Sequence, residues 1–96
     1  MALFIVKHHH SAEACPAGDP QIGPMLAQHV SKAGAGRFGI EVHGEGVVTG
    51  GHTLYLILDA PDQQRVTEYM APFGQMGSVE VLPASPCEQV VARAAC

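Results

Sequence analysis

A chain of 96 residues with a formal charge of −4 has no basic field to draw in nucleic acid, and without Trp and with few aromatics it lacks stacking platforms for bases. Its hydrophobic content is 47% against 15% charged residues, which points to apolar surface buried in a homodimer or higher homo-oligomer. No run reaches the roughly 18 apolar residues of a membrane span, and no basic n-region precedes an apolar core, so the expected location is cytoplasmic.

Residues 2–10 are predicted as a central strand, apolar on both faces: Leu3 and Ile5 on one, Phe4 and Val6 on the other. Residues 11–20 form a loop rich in Pro and Gly. A helix is expected to start at Asp19-Pro20, with Asp19 as N-cap and a stripe of Ile22, Met25, Leu26, His29, Val30 and Ala33. Gly34 and Gly36 end it. Phe38 to Thr49 is a second strand, on which Glu41, His43 and Glu45 share a face. Its Gly44-x-Gly46 spacing marks a candidate bulge, and Gly50-Gly51 a hairpin turn.

His52 to Asp59 carries the strongest β-signal in the chain. Ala60-Pro61-Asp62 opens a second helix with a Val66, Tyr69, Met70, Phe73 stripe, which Pro72 distorts or ends. Gly77 to Pro83 is a fourth strand, with Val79 and Val81 on one face, and residues 85–96 form a tail or short helix. The whole of 1–96 is one α+β domain of β-α-β-β-α-β order, the ferredoxin-like plait, with sheet order 4-1-3-2. Both helices then cover one face, and the other face is expected to pack against a second copy.

Two stretches carry a resemblance: Gly50-Gly51-His52-Thr53-Leu54-Tyr55-Leu56-Ile57-Leu58-Asp59-Ala60-Pro61-Asp62, and Met70-Ala71-Pro72-Phe73-Gly74 followed by Val79-Glu80-Val81. With the order of elements, they make residues 2–84 resemble small bacterial dimeric α+β barrel proteins. That group includes uncharacterised domains and small nickel-binding proteins. The resemblance implies a dimer and the plait fold, and it leaves open whether the chain is an enzyme or a binder.

The chemistry concentrates in Lys7-His8-His9-His10-Ser11-Ala12-Glu13-Ala14-Cys15. On a strand His8 and His10 point to one face, roughly 7 Å apart at the backbone, and His9 points away. In the plait the end of strand 1 shares an edge with the start of strand 3, which brings in His52. The expected metal ligands are His8, His10, His52 and Cys15, with Cys15 as ligand or reactive thiolate and Glu13 as an accompanying catalytic carboxylate. Glu45 is a further candidate to orient an imidazole or act as a base.

Imidazole and thiolate suit a transition metal: copper first by the Irving–Williams order, with nickel, zinc or iron as alternatives. The leading expectation is a copper- or iron-dependent oxidoreductase acting on a small-molecule substrate. A non-catalytic metal-binding or buffering module is the alternative, and a metal-free dimeric α+β barrel enzyme a third. His29 is expected to be a packed helix histidine, His43 a strand surface residue, and Cys87 and Cys96 inert thiols. No zinc-finger spacing, His-Glu-x2-His or phosphate loop is present.

Overall fold

The computed structural model describes residues 1–96. Strand β1 (Ala2–His9) is followed by helices α1 (Ile22–His29) and α2 (Lys32–Gly36), then β2 (Glu41–Val47) and β3 (Thr53–Ala60). Helices α3 (Gln63–Tyr69) and α4 (Ala71–Gly74), strand β4 (Ser78–Ala84) and helix α5 (Cys87–Arg93) complete the chain. The four strands form one sheet in the order β2-β3-β1-β4, every neighbouring pair antiparallel. This is the ferredoxin-like plait, with β1 between β3 and β4 as expected.

Alternation assigns the faces. Phe4, Val6 and His8 of β1, and Leu54, Leu56, Leu58 and Ala60 of β3, are buried beneath the helices. They pack with Val66, Tyr69, Met70 and Phe73, the stripe read from the second helical segment. A Leu56→Ala cavity in such a core costs about 2–5 kcal/mol.

The opposite face is open. There Leu82, Ile5 and Ile57 stand in one cross-strand row, exposed by 47%, 37% and 46%. Beside it Lys7 lies between Glu80 and Tyr55. The two faces of β1 therefore differ: one is core and one meets solvent in the single chain.

Both helical segments break where the sequence suggested one helix each. Ser31 interrupts the first by capping α2, its hydroxyl accepting from the Gly34 amide at 3.2 Å. A Cβ at Gly34 would strike the Gln28 carbonyl, so only glycine permits the tight α1–α2 junction. The predicted stripe is only partly correct, since Leu26 and Val30 are buried but Met25 is 57% exposed. The N-cap of the first helix is Gln21, not the expected Asp19, which stands two residues earlier with its Oδ1 accepting from the Gln21 and Ile22 amides at 2.8 and 2.9 Å. Those bonds hold its carboxyl below the usual range. Asp62 caps α3 through the Arg65 amide, and Pro72 opens the separate turn of α4. Helix α5 buries none of its residues, and Cys87 and Cys96 are free and exposed.

The second strand holds the main departure from simple alternation. The register steps from Val42↔Leu58 to Gly44↔Ile57, which leaves His43 as a bulged extra residue. Beyond the bulge, Glu45 pairs with Leu56 and Val47 with Leu54, both on the helix side. Glu45 therefore does not share a face with Glu41 and His43. The latter two remain on the open side, where His43 Nε2 hydrogen-bonds Asp59 at 2.8 Å.

Candidate metal centre

The end of β1, the chain entering β3 and the loop after β1 meet at one rim. The His10 amide donates to the His52 carbonyl at 3.1 Å, which fixes the two histidines side by side beyond the last ladder pair, His9↔Thr53. The β2–β3 connection that delivers His52 closes through Val48 N–H to Thr53 C=O at 2.9 Å, with Gly50 at φ +75°. Immediately after His10 the chain reverses. The Ser11 carbonyl accepts from Ala14 N–H, and the Ala12 carbonyl from Cys15 N–H. This turn carries Cys15 back over His10. The loop then leans on α1 at Gly23, where a Cβ would lie 3.1 Å from the Pro16 carbonyl oxygen.

His10, Cys15 and His52 come together: one donor atom from each lies within 4.8 Å of the other two. Tetrahedral zinc-like coordination separates its donors by about 3.4–3.7 Å, so shifts of roughly 1 Å would suffice to close on an ion. Two of the three, Cys15 and His52, lie outside the helices and strands and are only half-buried, which leaves them room to make that adjustment.

His8 is differently placed from the other expected ligands. It is buried, 1% exposed, with its ring edge-on to Phe73 at 5.1 Å. Its Nδ1–H donates to the Ser78 carbonyl at 3.0 Å, since a carbonyl can only accept. Burial, with smaller contributions from His10 and His9, pushes its pKa below the ordinary 6.5 despite the Ser78 bond. A neutral His8 then has only an acceptor at Nε2, so His10 Nδ1–H donates to it at 3.1 Å. Burial first, then His52 and His9, also lowers the pKa of His10.

The consequence is a defined tautomer. With its proton on Nδ1, His10 presents a lone pair at Nε2. That atom is buried and has no hydrogen-bond partner in the protein. A buried, unpartnered nitrogen beside a thiol and a second imidazole is the donor arrangement of a borderline-metal site. The His10–His8–Ser78 carbonyl chain also ends on an acceptor, so it orients the imidazole.

The other expected residues lie elsewhere. Glu13 is exposed on the loop and does not line the cavity beside the donors. His9 faces away and hydrogen-bonds Thr53 Oγ1 at 3.1 Å. His29 belongs to a structural clasp: its Nε2–H donates to the Tyr69 carbonyl at 2.7 Å, and the Tyr69 hydroxyl donates to the His29 carbonyl at 2.9 Å.

The donors open onto a cavity of about 420 Å3 walled by Leu26, Val30, Val47, Leu54 and Phe73, with Glu45 on its rim. The sequence contained no direct sign of the Ser78 carbonyl or of Phe73 in this region. The glycine spacing after His43 did signal a bulge, and the bulge is what turns Glu45 toward the cavity.

No helix is long and apolar enough to cross a membrane. No curated protein and no solved structure matches the chain. Residues 19–95, which contain Glu45 and His52 but not His10 or Cys15, match a family described as a domain of unknown function, DUF3303. The chain belongs to the DUF3303 family.

Proposed function

We propose that this chain is a mononuclear transition-metal protein whose ligands are His10 Nε2, His52 and Cys15. The observation that carries the reading is the buried His10 Nε2, held as a bare lone pair by the hydrogen bond from its own Nδ1–H to His8. His8 is the positioning residue of this site, of the kind that fixes ring orientation and raises ligand basicity. Two imidazoles and a thiolate favour copper, with zinc, nickel and iron as weaker candidates. Only three protein donors converge, and they face a cavity, so a coordination position stays open to a small molecule. That favours an oxidoreductase over a storage or buffering module, for which a closed ligand set is expected.

The open sheet face supports a homodimer, because the Leu82-Ile5-Ile57 row is an apolar stripe that one chain leaves in water. A second reading uses the same atoms without metal. His10 Nε2 would take the proton of the Cys15 thiol and make it a nucleophile.

Metal analysis of untagged protein purified without added metal tests the proposal. Sub-micromolar copper or zinc binding at one equivalent per chain, lost in His10→Ala and Cys15→Ser, is expected. Absence of binding, joined to rapid alkylation of Cys15 that depends on His10, would replace the metal reading with the nucleophile reading.

A further inference from the structure

The cavity beside the three donors carries at its rim an exposed charge that metal binding leaves unused. Its walls are largely apolar: Leu26, Val30, Val47, Leu54 and Phe73. No lysine or arginine lines it, and Glu45 is its sole carboxylate. Glu45 takes no part in the chain's two ion pairs, His43–Asp59 and Arg65–Glu68. It is also outside the His10, Cys15 and His52 group.

The bulge at His43 puts Glu45 there. Without that extra residue Glu45 would stand on the open sheet face; with it Glu45 pairs with Leu56 and turns to the helix side. The phenol of Tyr69, buried beneath the helices, is pushed up to about 12 by burial and then by the negative charge of Glu45. The carboxylate therefore stands on the helix side of the edge strand, where it is exposed to solvent.

We infer that the cavity binds a small apolar amine, its ammonium group on Glu45 and its hydrocarbon body against the Leu26, Val30, Leu54 and Phe73 walls. The volume of about 420 Å3 lies in the range of small-molecule sites, ~300–1,000 Å3. An unpaired carboxylate above an apolar wall selects a ligand with one cationic or donating end. A carboxylate ligand would be repelled, and a polyol would leave its hydroxyls facing hydrocarbon. The inference shares the cavity with the metal proposal but does not require the ion.

Calorimetric titration tests this with four probes of one shape: benzylamine, benzyltrimethylammonium, benzyl alcohol and benzoate. Each is titrated into the chain as purified and after chelator treatment. The quaternary ammonium cannot coordinate a metal, so it separates attraction to Glu45 from ligation. Both cations are expected to bind in both states, benzyl alcohol about two- to fivefold more weakly, and benzoate more weakly still. Glu45→Gln should erase the preference for cations over the alcohol while retaining the melting temperature. Equal binding of cations and alcohol, a preference that survives Glu45→Gln, or no binding of any probe overturns the inference. A chain that binds these cations but no metal refutes only the metal proposal, and the reverse result refutes only this one.

Discussion

Replacing His8 by Leu separates a ligand from the group that orients a ligand. The substitution keeps an apolar contact with Phe73 but removes the acceptor of the His10 Nδ1–H bond, 3.1 Å in length. A buried donor left without a partner costs about 1–3 kcal/mol. That cost is relieved in the metal-free protein if the His10 ring turns or changes tautomer, and binding must undo that change to bring Nε2 back beside Cys15 and His52. At 1.4 kcal/mol per decade, metal affinity should fall by roughly 10- to 100-fold.

Loss of a true ligand is larger. Binding of structural zinc at about 10–16 kcal/mol, divided among four ligands, gives ~3 kcal/mol each, or a hundredfold and more for His10→Ala. Competition against a chromophoric chelator measures both affinities, and the copper EPR spectrum counts coordinating nitrogens. The His8→Leu variant should keep the parental nitrogen count at weakened affinity, while His10→Ala should lose one nitrogen. A lost nitrogen in His8→Leu would make His8 a ligand and refute the tautomer argument. Unchanged affinity in His10→Ala would remove the site altogether.

Four further outcomes follow from the same geometry. The lowered pKa values of His8 and His10 mean that the unfolded chain binds more protons than the folded one just below pH 6.5, so stability is full above that pH and is lost as pH falls through it. The urea midpoint should therefore drop between pH 7.5 and 5 in the metal-free protein, above the range where Asp19 titrates, and His8→Leu should flatten the slope; a midpoint that rises in acid contradicts the buried neutral pair. Tyr69→Phe leaves the His29 carbonyl without its hydroxyl donor and should cost about 1–3 kcal/mol, a fall of several degrees in Tm by scanning calorimetry. Ile5→Asp places a charge in the centre of the apolar row and should yield monomers by light scattering if the open faces pair; a wild-type chain that is already monomeric counts against the dimer. Gly77→Ala would drive a methyl group into the His9 carbonyl, and it should destabilise by about 1–3 kcal/mol and weaken metal binding through the displaced His10.

The fold was readable because periodicity and punctuation agreed along most of the chain. The third strand alternates cleanly, Asp62 caps its helix, and the order of elements leaves few chiral arrangements. The errors have local causes. Ile22, Met25, Leu26 and Val30 satisfy a helical period, but a helix ending at His29 buries only the face that meets the sheet. Nothing in the period announces that Ser31 will start a new turn, because a capping hydroxyl competes with helix continuation only once the chain has bent. The dual apolar character of β1 was correctly seen, yet one chain can cover only one of its faces.

The site was half readable, and the missing half is a matter of saturation. Spacing identified His8, His10 and, through topology, His52 on one rim, and the loop length brought Cys15 near them. Spacing cannot say which ring nitrogens are already bonded. That depends on Ser78, 70 residues from His8, whose carbonyl fixes the first proton and so the whole series of tautomers. In the same way, a count of residues places Glu45 with Glu41 and His43, whereas one bulged residue reverses every side chain after it. A tautomer and a face are each two-valued, so a single distant contact or a single extra residue decides them completely. His10 thus presents a free lone pair because of a strand it is not part of, and Glu45 meets the cavity because of a residue that pairs with nothing in the ladder. These two placements are the ones on which the metal and amine proposals rest, and each is decided by a single residue outside the site itself.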